Sequence, residues 1–226
     1  MRFGILGTGV VGKTIATRLA RLGHEVMVGT RNPEKTLSRT EPDTYGNPPF
    51  GAWHAEHPEV RLGTFGEAAA HGEMVLNATA GAVSLGVLEL AGEDNLNGKI
   101  LIDVANPLDF SKGMPPTLSV SNTDSLGEQI QRRFPEAKVV KTLNTMNAYL
   151  MVDPAQLSAT DHTVFVSGDN AEAKARVTDL LRSFGWSDII DLGDITTARG
   201  AEMLLPIWLR LFGALQKPVF NFKIVR

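Results

Sequence analysis

"GILGTGVVGKTIA" (residues 4–16) decides the fold. It sets Gly7-Thr8-Gly9-Val10-Val11-Gly12 in the G-x-G-x-x-G spacing between an apolar run, residues 2–6, and a helical pattern. In that pattern Ile15, Leu19 and Leu22 share one face, with Ala16 and Ala20 beside them. The glycines serve three separate needs, which are a tight turn, close approach of the backbone to a pyrophosphate, and contact of helix with strand. The free amides and the positive helix end then face the phosphates. The spacing alone is weak, and a turn serving only sheet packing is the bland alternative; its place between strand and helix points to dinucleotide binding.

The pattern continues outward. Gly23 stops the helix, "HEVMVG" (24–29) reads as a second strand, and Asn32-Pro33 has the N-cap and N1 chemistry of a new helix. Further strands are expected at 74–78, 99–105, 138–143, 162–168 and 188–193, with helices between them. This alternation predicts an α/β, Rossmann-type doubly wound fold with a mostly parallel sheet covered on both faces.

The end of the second strand then selects the nucleotide. A carboxylate there would accept from a ribose 2′-OH and repel a 2′-phosphate, but the chain has Gly29-Thr30-Arg31. NADP is the cofactor this predicts: Arg31 offers a planar fork, Thr30 a hydroxyl, and Lys35 a further positive charge one turn into the next helix. The alternative is that Arg31 and Lys35 are ordinary solvated charges.

Composition narrows the partners. The chain has 226 residues, 43% of them hydrophobic, a formal charge of -3 and no cysteine. Thiolate nucleophiles and Cys-based metal sites are excluded, and no metal is expected. With no apolar run of the roughly 18–20 residues a span needs and no basic block, a cytoplasmic protein with small-molecule partners is expected, binding neither membrane nor nucleic acid. The five histidines (24, 54, 57, 71 and 162) form no ligand cluster, and no acid–base catalyst stands out. Only residues 194–226 follow the last expected strand, too few for the large helical domain of hydroxyacid-type dehydrogenases.

Two stretches break the rhythm. Residues 41–60 carry four prolines and three aromatics without helical or strand period. They read as a functional or interface loop, or as an insertion packed by its own Tyr45, Phe50 and Trp53. Residues 199–215 are apolar on nearly every side, so that helix must be covered on more than one face. Burial in the core, a dimer interface and the wall of an apolar substrate pocket are the three ways to cover it; together with the "KPVFNF" tail the helix predicts a homodimer.

The opening 35 residues, "VVKTLNTMNA" (139–148), "RGAEMLLPIW" (199–208) and "FNFKIVR" (220–226) resemble the NADPH-dependent reductases of the deazaflavin coenzyme F420, and the fold is similar to the NADPH domain of the STEAP metalloreductases. The resemblance implies a Rossmann domain with a small C-terminal extension: residues 1–160 bind NADP, and 161–226 complete the sheet and the second-substrate pocket. It implies direct hydride transfer between nicotinamide C4 and deazaflavin C5, with no catalytic side chain. Thr8, Thr30, Arg31 and Lys35 would hold the 2′-phosphate region, and Gly7, Gly9, Val10 and Val11 the pyrophosphate. Asn77, Ala78 and Thr79 would lie along the ribose and nicotinamide. Ala105, Asn106 and Pro107 would approach the nicotinamide, or form a structural Asn-Pro turn. Asn144, Thr145, Met146, Asn147 and the helix carrying Met203, Pro206 and Trp208 would face the second ring. One departure is that Met203 and Leu205 stand before Pro206, where the family has hydroxyl residues. Two alternatives stay open: an NADPH-dependent reductase of a flavin, quinone or other small acceptor, and a non-catalytic NADPH-binding redox sensor.

Overall fold

The computed structural model describes residues 1–42, 46–157 and 161–226. Short runs rich in Val, Ile and Leu become strands buried on both faces, as in a sheet covered by helices front and back. In β1 (Arg2–Leu6) every residue after Arg2 is buried. It is followed by α1 (Val10–Arg21), β2 (Glu25–Thr30), α2 (Pro33–Leu37), α3 (Phe50–Glu56), β3 (Arg61–Thr64), α4 (Phe65–His71), β4 (Met74–Asn77), α5 (Gly81–Ala91), α6 (Glu93–Leu96) and β5 (Ile100–Asp103). A small antiparallel pair, β6 (Leu108–Asp109) and β7 (Thr117–Leu118), precedes α7 (Leu126–Arg133), β8 (Lys138–Thr142) and α8 (Ala148–Val152). β9 (Thr163–Ser167), α9 (Ala171–Phe184), β10 (Asp188–Gly193) and α10 (Ala198–Leu215) complete the chain.

The main sheet has the order β10-β9-β8-β5-β4-β1-β2-β3. From β3 to β8 neighbouring strands are parallel; β9 pairs antiparallel to β8, and β10 runs parallel to β9. The sheet is thus mostly parallel, as expected, with two reversed strands at one edge. Strands from 1–157 and from 161–226 share this one sheet, β9 pairing with β8. Side-chain alternation along the strands separates two cores. Phe3 and Ile5 pack with Ile15, Leu19, Leu150, Val177 and Phe184 on one face. Leu6 and Val75 pack with Phe65, Ala68, Leu88, Ile130 and Phe134 on the other.

The stretch at 41–60 differs from its reading as a loop: residues 50–56 are helical. Phe50 and Trp53 are one turn apart, with ring centroids 5.1 Å from each other, and Trp53 Nε1 donates to Thr17 Oγ1 of α1 at 3.3 Å. The packing with α1, not a periodic pattern of its own, makes this short helix stable. Tyr45 lies outside the described residues. The C-terminal helix also differs from expectation. Glu202 and Leu205 are buried, but Met203, Ile207, Phe212 and Leu215 are exposed.

Candidate active site

The turn after β1 shows what each glycine does. Gly7 has φ +121°, a conformation that a side chain would strain, and its amide donates to Gly29 O at 3.1 Å, tying the turn to the end of β2. A Cβ on Gly12 would lie 2.1 Å from Gly7 O, so this position must be bare for helix and turn to meet. Gly9 is different. Its φ of -74° suits any residue, and a Cβ there would meet nothing within 4 Å. Nothing in the protein requires a glycine at 9; a pyrophosphate lying against the backbone does. Gly9 also gives α1 no side-chain cap, whereas Asn32, Thr64, Ser125 and Asn170 cap α2, α4, α7 and α9. The first amides of α1 are left for a ligand. These observations fit a dinucleotide.

Beyond this turn, toward β2, lies a cavity of about 510 Å³ lined by Thr8, Gly9, Lys13, Thr36 and Arg39 and roofed by residues 48–50. Thr30 is buried, with its Oγ1 2.8 Å from Thr36 Oγ1, so its hydroxyl is already shared with a neighbour. Arg31 and Lys35 are exposed and form no ion pair among the described residues. Asn32 Oδ1 accepts from Lys35 N at 2.9 Å and fixes the start of α2, the helix that carries Lys35.

On the other side of α1, a cavity of about 370 Å³ is lined by Val11, Ala78, Thr79, Ala105, Asn106 and Met146 among others, with no charged side chain in its wall. Charge sits directly behind it. The buried Lys141 Nζ lies 2.7 Å from Asp103 Oδ2 and 2.9 Å from Glu202 Oε1, and it also donates to Ala105 O. Asp103 Oδ1 accepts from Asn77 Nδ2 at 2.8 Å, and Asn77 Oδ1 accepts from Thr79 Oγ1 at 2.6 Å. Glu202 closes the far end by accepting from the amides of Leu126 and Gly127 at 2.9 and 3.0 Å. Burial pushes the Lys141 ammonium toward deprotonation, but the carboxylates of Asp103 and Glu202 outweigh it and hold the group above its ordinary value. A hydrogen-bonded chain therefore runs from α10 to the ends of β4 and β5. It fixes the Ala105 carbonyl and the Thr79 hydroxyl at the cavity wall.

The family model for "NADP oxidoreductase coenzyme F420-dependent" matches residues 2–107, the part that contains the glycine turn, Arg31 and both strand ends. A protein of Arthrobacter sp. FB24, provisionally named an F420-dependent NADP-reductase, has a crystal structure with 64% identity and a TM-score of 0.95 over 99% of both chains. The chain belongs to this family. It is an NADP-dependent oxidoreductase with the family's fold. The F420-dependent NADP reductase of Methanothermobacter marburgensis is 25% identical, covering 93% of this chain and 92% of that one. Metalloreductase STEAP3 of Rattus norvegicus is 30% identical over 92% of this chain, which spans only 38% of that longer relative.

In this family member the residues expected around a second ring are dispersed. Met146 lines the uncharged cavity. Asn144 is buried and structural: its Nδ2 donates to Asn106 Oδ1 and to Ala201 O, both at 3.0 Å, and Asn106 Nδ2 donates back to Asn144 O at 2.9 Å. Leu143, just before it, holds φ +60°, a strained value for a branched side chain at a strand end. Thr145 and Pro107 are buried, and Asn147 caps α8 through the amides of Tyr149 and Leu150. Met203 and Pro206 line a separate cavity of about 460 Å³ with residues 115–118 and Arg210. Trp208 stacks between Phe212 and Phe220, with centroids 5.7 and 5.0 Å away. Sequence reading missed the Lys141–Asp103–Glu202 group. Its signal was three charges inside apolar runs, "ILID", "VVKT" and "AEMLL". Among the described residues no helix is long and apolar enough to cross a membrane, and no cluster of three or more His, Asp or Glu is placed to hold a metal.

Proposed function

We propose that this enzyme transfers hydride between NADP(H) and a deazaflavin of the coenzyme F420 type, in the uncharged cavity beside the glycine turn. The observation that carries this reading is the contrast in that cavity: a wall of Val11, Ala78, Val104, Ala105, Met146 and Met151 with no titratable group in it. NADPH held here would supply a hydride at nicotinamide C4 for C5 of a deazaflavin, chemistry that would need no proton donor from the protein at those two carbons. Gly7, Gly9, Val10 and Val11 present backbone to the pyrophosphate, Arg31 and Lys35 with Thr8 hold the 2′-phosphate region, which Thr30 supports from behind through Thr36, and Ala78 and Thr79 border the ribose with Asn77 buried behind them. Ala105 and Asn106 orient the nicotinamide end, and the apolar wall excludes water. Asn144 and Asn147 support that wall through their hydrogen bonds.

The direct test is stopped-flow mixing of the enzyme with NADP and reduced F420. Rapid F420 oxidation matched by NADPH formation is expected; no transfer under saturating conditions, or turnover with flavin alone, overturns the reading. We also propose that it works in the cytoplasm as a homodimer built on the exposed face of α10, where Met203, Ile207, Phe212 and Leu215 face solvent. Light scattering should give twice the chain mass for the wild type and the chain mass for Ile207→Glu.

A further inference from the structure

Behind α1 lies a further cavity, which shares Val10, Lys13 and Pro48 with the dinucleotide side and is otherwise lined by residues that the proposed function does not use. It measures about 450 Å³, the size of small-molecule sites, and is enclosed by α1, α3 and α8. α1 contributes Lys13, Arg18 and Arg21, α3 contributes Trp53, and α8 contributes Tyr149. None of the three cations has a carboxylate partner among the described residues. Lys13 Nζ donates to Pro48 O at 3.0 Å, and Arg18 Nη2 donates to Ser183 O at 3.1 Å. Arg18 Nε is buried without any hydrogen-bond partner in the described residues. Glu56 and Asp153 also line the cavity, so three cations against two carboxylates leave it one net positive charge. Trp53 is a fixed wall: its Nε1 is bonded to Thr17, and its ring stacks on His57 at 4.6 Å and 19°.

A flat aromatic surface beside cations that lack a carboxylate partner recognises a particular chemistry. A planar ring system packs on the indole, and an anionic oxygen pairs with the cations on the cavity wall, Lys13 and the exposed Arg21, neither of which has a carboxylate partner among the described residues. We propose that this cavity binds an aromatic molecule bearing an anionic group, at a site separate from the dinucleotide, and that its occupancy is felt in the catalytic cleft. The route is α8. Tyr149 and Val152 line this cavity, whereas Ala148 and Met151 of the same five-residue helix line the uncharged one. A ligand that moves α8 changes both walls, and the coupling is reciprocal.

The test uses 8-anilinonaphthalene-1-sulfonate as probe on the whole chain. Its fluorescence is followed with and without saturating NADP, and NADP affinity is measured by calorimetry with and without the probe. Saturable one-site binding that persists under NADP is expected. It should weaken roughly tenfold in Arg21→Glu, an exposed position, and in Thr14→Trp, which fills the cavity, and it should be unchanged in Ile207→Glu. NADP affinity should differ at least about twofold between probe-free and probe-bound enzyme. Displacement of the probe by NADP, or its loss in Ile207→Glu but not in Arg21→Glu, places it elsewhere and overturns the site. Equal NADP affinity with and without bound probe overturns the coupling.

Discussion

The two ends of the cleft use charge in opposite ways. At the adenosine end Arg31 and Lys35 stand in solvent, with no protein partner among the described residues. At the nicotinamide end Lys141, Asp103 and Glu202 are all buried and bonded to one another. The difference teaches that residue type does not assign a role; burial does. An exposed guanidinium is available to a phosphate and adds little to folding, whereas a buried ammonium between two carboxylates is already neutralised and sets the shape of the wall in front of it. In the proposed function one end selects the nucleotide, and the other positions its reactive ring.

Lys141→Met breaks the comparison most severely. It leaves the buried Asp103 and Glu202 without their cation and frees the Ala105 carbonyl. The expected loss is about 3–5 kcal/mol of stability in urea unfolding. A loss under about 1 kcal/mol would show that the group is not what holds the nicotinamide end together. The sign of its pH dependence is also fixed. The Lys141 pKa is raised on folding, so its contribution is complete below the unfolded lysine value and is lost as pH rises through the folded one. Alkali, not acid, should therefore loosen this end first.

Arg31→Asp acts only at the other end. The fork is lost and a like charge is placed against the 2′-phosphate, so NADP affinity should fall on the order of 100-fold while NAD affinity changes little. Stability should stay within about 0.5 kcal/mol of the wild type, as for an exposed residue. Calorimetry with both nucleotides checks this; equal losses for the two would take the 2′-phosphate away from Arg31.

The glycine turn was legible because its logic is local. Glycine spacing, an uncapped helix start and the absence of a carboxylate after β2 all lie within about 30 residues of one another, and each has a meaning that needs no fold. The nicotinamide end was legible only as strand ends. Lys141, Asp103 and Glu202 come from β8, β5 and α10, and only the pairing of β5 with β8 together with the packing of α10 brings them within 3 Å. α3 was missed for a related reason: it is seven residues long, follows two prolines and is held by contacts with α1, which no periodicity reports. A shared helix groups Met203, Pro206 and Trp208 in the sequence; in the structure Met203 and Pro206 line a separate cavity, and Trp208 packs on Phe212 and Phe220.

Gly9→Ala separates ligand from fold at a single atom. Its Cβ enters open space at an ordinary φ, so folding stability should be unchanged or rise by up to about 1 kcal/mol through the unfolded chain. NADP affinity should fall by about tenfold, because that space is where the backbone must approach the pyrophosphate. A drop in melting temperature without a loss of affinity would reverse the reading of this position.

Asp124→Asn tests the smallest effect, at the support of the nicotinamide end near the start of α7. A bidentate hydrogen bond from Arg132, at 2.9 and 2.8 Å, is the main reason the Asp124 carboxyl lies at about 2, against the ordinary 3.8. Because the folded value is depressed, the pair contributes above the unfolded pKa and is lost as pH falls through the folded one, a window from about 4 down to about 2. Arg132 is more than half exposed, so solvent screening holds the contribution to about 1 kcal/mol or less. Urea midpoints at a series of pH values should show the wild type slightly ahead of the variant at neutral pH and the two converging below pH ~4. The nucleotide-binding cations should not notice: NADP affinity at neutral pH should be the same in both proteins. A change in affinity there would mean that the two ends of the cleft are coupled through α7 and cannot be treated as separate devices.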